Sequence, residues 1–168
     1  MSQLTPINFM KWINDHRNLL KPPVGNKMIW EDREFIVMVV GGPNGRTDYH
    51  VNQGEEFFYQ IEGDITLKVV EGNKLKDVKI KQGEIFLLPG GIPHSPQRPE
   101  NTVGLVIERK RRENELDGLQ WYCKNCGSKV YEEFFPLKNI EKDFDTVFKN
   151  YFNNYENYQC KNCGTLNN

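Results

Sequence analysis

Short stretches of alternating apolar and polar residues fill the chain from about residue 27 to residue 108. In the segment 65–70, for example, Ile65, Leu67 and Val69 point to the same side of an extended strand. Similar β-rich stretches occur at 27–30, 34–40, 75–80, 84–89 and 102–108. Turn sequences such as GGPNG and EGN separate them at the spacing typical of a β-sandwich or barrel. No helical periodicity interrupts this series, so the pattern predicts an all-β domain.

Helical periodicity is confined to the two ends of the chain. Residues 5–20 predict an N-terminal helix, with Thr5 as its cap, Pro6 in its first turn, and Pro22 and Pro23 as its end. Its apolar stripe contains Phe9, Trp12, Ile13, His16 and Leu20. We interpret His16, on that stripe, as a structural histidine. A second helix is predicted near 137–152.

The segment 46–63, RTDYHVNQGEEFFYQIEG, carries the first candidate chemistry. His50, Asn52, Glu56 and Gly63 form the pattern H-x-N-x3-E-x6-G. This pattern resembles the first motif of the cupins, with Asn52 where many cupins have a second histidine. Gly54 separates two predicted strands, so we expect His50 on the first and Glu56 at the start of the second.

A second motif follows about 20 residues later and supplies a third candidate ligand. Gly83, Pro89, Gly91 and His94 form G-x5-P-x-G-x2-H, which resembles the second cupin motif throughout. Two histidines and one carboxylate make the facial set that binds iron(II) and leaves the opposite face open. The resemblance implies a cupin double-stranded β-helix, or jelly roll, with the metal inside its mouth.

Each of the three ligands has an ordinary structural explanation when it is taken alone. His50 could be a strand histidine, Glu56 a solvated charge and His94 a surface loop residue. The coincidence of all three inside two correctly spaced motifs favours a metal site.

The four cysteines all fall in two nearly identical knuckles, CKNCG, close to the C-terminal end of the sequence. Cys123 and Cys126 form the first pair, and Cys160 and Cys163 form the second. Paired C-x-x-C turns predict a tetrahedral four-thiolate site for zinc or iron, like that of rubredoxin or a zinc ribbon. Four thiolates saturate such a metal, so we interpret the site as structural and separable from catalysis; a redox role is the alternative.

Charge and composition exclude several classes of protein. The 168 residues carry 22 Lys and Arg against 23 Asp and Glu, a net charge of −1, which gives no electrostatic reason to expect a nucleic-acid partner. No apolar run approaches the length of a membrane span, and the N-terminal residues lack the pattern of a signal peptide. We therefore expect a cytoplasmic protein without a membrane partner. In a reducing compartment, the cysteines are expected to bind metal rather than form disulfides.

Two arginines and one glutamate are candidate substrate-binding residues. Arg46 lies four residues before His50, and Arg98 lies four residues after His94. Glu108 ends the predicted strand VGLVIE. Guanidinium groups bind carboxylates in a bidentate manner, so arginines beside a metal indicate an anionic substrate or intermediate. The alternative is an ordinary salt bridge at the mouth of the barrel for either arginine.

Four longer segments resemble the bacterial 3-hydroxyanthranilate 3,4-dioxygenase family. They are GRTDYHVNQGEEFFYQIEGD, LLPGGIPHSPQRP, GLVIERKR and DGLQWYCKNCG. The resemblance implies iron(II) on His50, Glu56 and His94, with a second iron or zinc on the cysteines. It also implies opening of the ring of 3-hydroxyanthranilate by O2, as a step of the kynurenine pathway towards quinolinate and NAD.

The same resemblance assigns roles to the other candidates and predicts a homodimer. It implies that Arg98 binds the substrate carboxylate with Glu108 beside it, that Arg46 lies close to O2 and acts in catalysis, and that Glu56 also contacts the substrate. The chemistry agrees, because an ortho-aminophenol can chelate iron through oxygen and nitrogen while its carboxylate needs a cation. Rival interpretations are another cupin dioxygenase and a non-enzymatic, metal-containing effector-binding cupin.

The composition changes near residue 110 and suggests a division of the chain. We predict a catalytic cupin domain at 1–110. The remainder, 111–168, is predicted to be a linker and a small rubredoxin-like module that contains a helix. The charged run RKRRENELDG at the boundary is expected to be solvated.

Overall fold

A computed structural model describes residues 4–22, 25–138 and 140–167. In these residues, three α-helices and a 3-10 turn, Arg17–Leu20, accompany eleven strands. The helices of more than one turn are α1, Phe9–His16, and α2, Ile140–Phe152. A single-turn helix, α3, spans Tyr155–Tyr158. The strands are β1 (Asn26–Met28), β2 (Phe35–Gly41), β3 (Tyr49–Val51), β4 (Glu56–Glu62), β5 (Ile65–Glu71), β6 (Lys74–Ile80), β7 (Ile85–Leu88), β8 (His94–Gln97), β9 (Val103–Arg109), β10 (Asp117–Tyr122) and β11 (Lys129–Phe135).

The strands form two antiparallel sheets, and the prediction of an all-β jelly roll is confirmed. One sheet has the order β1-β2-β9-β4-β7 and the other β11-β10-β3-β8-β5-β6. Buried apolar side chains from both sheets, including Phe58 of β4, Leu67 of β5 and Val106 of β9, pack together between them. Each motif segment contributes a strand to both sheets: the first motif contains β3 and β4, and the second contains β7 and β8. Alternate residues of these strands point into the core.

The N-terminal helix is shorter than predicted and begins later. Asn8, rather than Thr5, is its cap, and the Asn8 side chain accepts a hydrogen bond of 2.9 Å from the backbone N–H of Lys11. His16 Nδ1–H donates a hydrogen bond of 2.7 Å to the Trp12 carbonyl, and the His16 ring stacks on the Trp12 ring, in agreement with a structural role. The prediction that Pro22 and Pro23 end the helix falls partly outside the described residues, since Pro23 is not among them.

The C-terminal segment extends the same six-stranded sheet with two strands that the sequence did not predict. β10 pairs with β3, so that Leu119 lies opposite His50, and β11 pairs with β10. The helix α2 packs its buried Val147 and Tyr151 against Leu119 and Trp121 of β10. The boundary predicted near residue 110 therefore falls between β9 of one sheet and β10 of the other, and the strands that follow it continue the six-stranded sheet.

The charged run at 109–118 is only partly solvated. The Asp117 side chain is fully buried, and the side chain of Arg111 is 9% exposed. The expectation that these charges are simply solvated is wrong for both residues, because Asp117 begins β10 beside β3 and Arg111, from the connection before β10, binds the Asp117 carboxylate. In the described part of the chain, no helix is long and apolar enough to cross a membrane.

Candidate active site

His50, Glu56 and His94 come together inside the jelly roll, as the two motifs predicted. β3 carries His50, β4 begins with Glu56, and β8 begins with His94, which lies directly opposite His50 in the sheet. Glu56 Oε2 lies 2.9 Å from His94 Nε2, and Glu56 Oε1 lies 3.8 Å from His50 Nδ1. All three residues are buried, and one ligand atom from each lies within 4.8 Å of the others.

The donor atoms of this cluster fit a divalent metal. His94 Nδ1 is 3.0 Å from the Ile92 carbonyl, so an Nδ1–H can donate there and leave the Nε2 lone pair towards Glu56. His50 Nε2 is occupied by a carboxylate, which leaves its Nδ1 towards Glu56. Two imidazole lone pairs and a carboxylate oxygen therefore converge on one point, as a facial metal site requires.

The electrostatics of the cluster keep Glu56 ionised. Burial acts to raise the pKa of Glu56, but attraction to His94 and then to His50 overcomes it and holds the pKa below its usual range. Burial lowers the pKa of His50, despite its carboxylate partner, and so favours the neutral ring. Burial acts to lower the pKa of His94 as well, but attraction by Glu56 and their hydrogen bond overcome it and raise that pKa. A bound metal would take the place of this proton on His94 Nε2, since a metal ligand needs a carboxylate or a neutral imidazole.

Arg98 places a buried cation next to this cluster. Only 3% of Arg98 is exposed, and its Nη1 donates a hydrogen bond of 3.3 Å to the side-chain carbonyl of Gln60. Within the described ranges, no carboxylate lies within 4.0 Å of its guanidinium. Burial lowers the pKa of Arg98 to about 10, and attraction by Glu56 opposes this shift. A buried guanidinium without an ion-pair partner is costly, so the site is suited to a ligand with a negative charge.

Glu108 lies opposite Glu56 on the adjacent strand β9, also out of solvent. Its Oε2 accepts a hydrogen bond of 2.6 Å from Asn52 Nδ2, and Asn52 is in turn fixed by the Gly54 amide. Burial raises the pKa of Glu108 to about 8, repulsion from Glu56 adds to this, and Arg111 opposes it. Asn52 thus supports Glu108 and is not one of the three clustered ligands.

Arg46 reaches the site from the segment before β3. Its guanidinium pairs with the buried carboxylate of Asp48 through Nε and Nη2. The ring of Phe144, from α2, lies 6.0 Å from Arg46 Cζ and 5.4 Å from the His50 ring. Arg46 is therefore held near His50 by a salt bridge and an aromatic contact.

Asp117 and Arg111 belong to the site, although the sequence reasoning did not single them out. Asp117 Oδ2 lies 2.6 Å from His50 Nε2, and Arg111 donates to both Asp117 oxygens at 2.8 and 2.6 Å. The signal in the sequence was the acidic residue that immediately precedes the apolar stretch GLQWY. That signal is weak without knowledge that this stretch pairs with β3.

The cysteines form the second predicted cluster. Their four sulfurs lie within 4.8 Å of one another, with Cys123 and Cys160 buried and Cys126 and Cys163 exposed. The glycine that follows each knuckle, Gly127 or Gly164, has a positive φ of 72° or 75°. The Gly127 amide donates to the Cys123 carbonyl and the Gly164 amide to the Cys160 carbonyl, which closes each turn. This arrangement fits one tetrahedral metal held by four thiolates.

Replacement of a cysteine should lower stability more than catalysis. In Cys160→Ser, one of four metal ligands is weakened, and we expect a lower melting temperature together with loss of the cysteine-bound metal. Activity per catalytic metal should stay within a few-fold of wild type, because β10 is held to β3 by its own hydrogen bonds. Elemental analysis combined with turnover measurements tests this expectation. A hundredfold loss of activity per catalytic metal in folded protein would contradict a structural role.

Comparison with known proteins agrees with the site. A sequence model described as 3-hydroxyanthranilic acid dioxygenase matches residues 1–152. A protein of Xanthomonas euvesicatoria named 3-hydroxyanthranilate 3,4-dioxygenase is 55% identical over 163 residues, which cover 97% of this chain and 92% of that protein. The protein of that name from Jannaschia sp. is 52% identical and covers 99% of this chain and 93% of its own length.

The similarity to solved structures concerns the fold alone and covers about two thirds of the chain. A Neisseria meningitidis protein superposes with a TM-score of 0.50 at 18% identity, over 63% of this chain and all of that chain. A cupin-2 domain protein of Shewanella frigidimarina has a TM-score of 0.49 at 21% identity, over 62% of this chain and 94% of that chain.

The match to the family model extends over both motif segments and beyond them, through the strand that carries Asp117 and into α2. It therefore includes every residue of the buried cluster described above. On this evidence, the chain belongs to the 3-hydroxyanthranilic acid dioxygenase family.

Proposed function

We propose that the protein is an iron(II)-dependent dioxygenase that opens the ring of 3-hydroxyanthranilate. The product would be 2-amino-3-carboxymuconate semialdehyde, which contains both atoms of O2 and can cyclise to quinolinate, a precursor of NAD. The observation that carries the proposal is the buried Arg98, which has no ion-pair partner among the described side chains, beside the cluster of His50, Glu56 and His94. An aromatic acid with adjacent hydroxyl and amino groups is complementary to this arrangement, because its carboxylate can pair with Arg98 while the hydroxyl and amino groups chelate the metal.

The chain's own residues would bind and orient the substrate. Arg98 would pair with the substrate carboxylate, in the position where none of the described carboxylates lies. Glu108, whose pKa is raised, would lie beside the bound acid and can exchange a proton with a polar substituent of the ring. Glu56 can accept a hydrogen bond from the substrate with the oxygen that is not used as a ligand.

Iron(II) on His50, Glu56 and His94 would supply the activation of O2 when bound. Arg46 would stabilise negative charge that develops on oxygen, since its guanidinium is held near His50. The near-complete burial of the cluster excludes bulk water, which strengthens these charge interactions. The cysteine cluster would hold a second iron or zinc, and the cytoplasm is the compartment in which its thiols would stay reduced.

Oxygen consumption and isotope incorporation test the proposal directly. Iron-loaded protein should consume one O2 for each 3-hydroxyanthranilate. Under labelled O2, mass spectrometry should detect one labelled oxygen in the quinolinate that forms, in the new carboxylate, because cyclisation expels the labelled aldehyde oxygen as water. The related acid without the 3-hydroxyl, anthranilate, serves as the control and should not react. Absence of O2 uptake, or quinolinate without label, would overturn the proposal.

Arg46→Ala should lower kcat more than it raises KM for the aromatic acid. Loss of one positioned donor to a developing negative charge typically costs about a hundredfold in kcat. Arg46→Lys, which keeps the charge, should recover part of the loss. Steady-state kinetics with both variants decides the matter, and an increase in KM alone would assign Arg46 to substrate binding instead.

We also propose that the protein is a homodimer. The outer face of the five-stranded sheet is apolar across three adjacent strands, because Ile107, Phe57 and Leu87 lie side by side. Leu87 is 53% exposed and Phe35 is 57% exposed, and these residues line a groove of about 350 Å³. Soluble monomers rarely leave large contiguous patches of this kind uncovered, and a second copy can cover it through a two-fold contact.

The mass of the protein in solution tests the dimer. Sedimentation equilibrium should give a dimer for wild type and a monomer for Leu87→Lys. Leu75→Lys, at an exposed position of β6 on the other sheet, is the matched control and should remain dimeric. A monomeric wild type would refute the dimer, and a dimeric Leu87→Lys would move the interface to another face.

A further inference from the structure

His50 is held on two sides by carboxylates that come from different parts of the chain. Its Nδ1 faces Glu56 Oε1 at 3.8 Å, and its Nε2 lies 2.6 Å from Asp117 Oδ2. Asp117 is completely buried at the start of β10, 67 residues further along the chain. The second contact has the length of a charge-assisted hydrogen bond.

The hydrogen bond to Asp117 determines which nitrogen of His50 can bind a metal. When Nε2–H donates to a carboxylate, the proton is fixed on Nε2 and the lone pair is fixed on Nδ1. That lone pair faces Glu56, the residue shared with His94. In metal sites, a carboxylate behind the histidine both orients the ring and makes it a stronger ligand.

Arg111 fixes the carboxylate in its turn. Its Nε and Nη2 bind the two oxygens of Asp117, and its Nη1 lies 3.1 Å from Glu108 Oε1 without a well-aligned hydrogen bond. One buried guanidinium therefore connects the carboxylate behind His50 with the carboxylate proposed to lie beside the substrate. An isolated buried aspartate would be costly, and this cation compensates its charge.

We propose that Asp117, held by Arg111, is a positioning residue that fixes the tautomer and the ring orientation of His50 as a metal ligand. The C-terminal strand β10 would thereby complete the catalytic metal site, which the two motifs alone leave without support behind His50. The inference rests on the proposed metal site but not on the identity of the substrate.

Metal affinity tests this role without the use of turnover. The cysteine site is first filled with zinc, and Mn(II), which prefers oxygen and imidazole ligands to thiolates, is then titrated and followed by electron paramagnetic resonance. Asp117→Asn keeps the shape of the side chain but removes its charge. We expect Mn(II) to bind about 10- to 100-fold more weakly than to wild type.

A control on the same strand separates this role from a general effect on folding. Gln120 of β10 is buried and polar like Asp117, but it bonds Glu132 and Tyr122 rather than a metal ligand. Gln120→Ala should bind Mn(II) within about twofold of wild type. Melting temperature and zinc content, measured for both variants, confirm that the strand and the cysteine site remain in place.

The two histidines provide an internal control in the wild-type and variant proteins. With zinc on the cysteines and Co(II) at the proposed site, proton magnetic resonance should detect two shifted, solvent-exchangeable imidazole protons, on His50 Nε2 and His94 Nδ1. In Asp117→Asn, the His50 proton should shift or exchange faster, whereas the His94 proton, bound to the Ile92 carbonyl, should stay unchanged. A structural role alone would not move one of these signals selectively.

Two results would overturn the inference. The first is a folded Asp117→Asn protein with wild-type Mn(II) affinity and an unchanged His50 signal. The second, which needs no variant, is a crystal structure of Mn(II)-loaded wild type with His50 Nε2 on the metal. A protein that fails to open 3-hydroxyanthranilate but still loses Mn(II) affinity in Asp117→Asn would refute the proposed substrate and leave this inference intact.

Discussion

Glu56→Ala is expected to abolish ring opening and to empty the catalytic metal site. Glu56 is the residue that both histidines face, at 2.9 Å from His94 and 3.8 Å from His50, so its loss removes a ligand and leaves two buried imidazoles without their anion. The contribution of a metal ion to catalysis is several kcal/mol, which corresponds to a loss of about a thousandfold or more.

The measurement combines turnover with metal analysis of the same preparation. Iron at the catalytic site should be lost while the metal of the four cysteines is retained, which also shows that the protein has folded. His50→Ala and His94→Ala should behave alike. Glu62→Ala is the matched control, since Glu62 ends the same strand but pairs with Arg17 in solvent. Full iron content together with near-normal activity in Glu56→Ala would refute the ligand assignment.

Arg98→Ala is expected to cause the second largest loss, and chiefly in substrate binding. Removal of one partner of a buried charge pair costs about 2–5 kcal/mol, or about 30- to several thousand-fold in kcat/KM. Catalytic iron should be retained, because Arg98 is not among the clustered metal ligands. Arg17→Ala, which removes an exposed arginine, should leave kcat/KM unchanged.

Gly104 offers a way to move Arg98 without removing it. A Cβ at this position would lie 2.8 Å from Arg98 Nη1 and 2.9 Å from the Gln60 side-chain oxygen, so Gly104→Ala should displace the guanidinium. We expect KM to rise in Gly104→Ala while kcat changes less. Unchanged substrate affinity in both Arg98→Ala and Gly104→Ala would exclude Arg98 as the partner of the carboxylate.

The ligand cluster could be predicted from sequence because its geometry is local to two motifs. His50, Glu56 and His94 lie on short strands whose order is encoded by turn residues at fixed offsets, and the structure brings them together. The cysteine cluster was predictable for the same reason, since each knuckle closes its own turn around a glycine. In motifs of this kind, the spacing of the residues in the sequence already determines which side chains come together.

Asp117 and Arg111 could not be predicted in this way. Their burial depends on the pairing of β10 with β3, a long-range contact that no local pattern encodes. The run RKRRENELDG has the composition of a solvated linker. Only the pairing of β10 with β3 buries its Asp117 and Arg111 side chains. The start of the first helix could not be predicted exactly either, since Thr5 and Asn8 are both suitable caps and the helix uses Asn8.

The dependence of His50 on Asp117 would also set the order of events during protein synthesis. His50, Glu56 and His94 all leave the ribosome before Asp117, which follows His94, the last of the three, by 23 positions. At about 5–20 residues per second, that interval lasts roughly 1–5 s. A nascent chain that captures a metal within it does so with a free imidazole ring behind His50 and would exchange the ion easily. Selection of the correct metal would then be completed only when β10 has been made and has closed against β3.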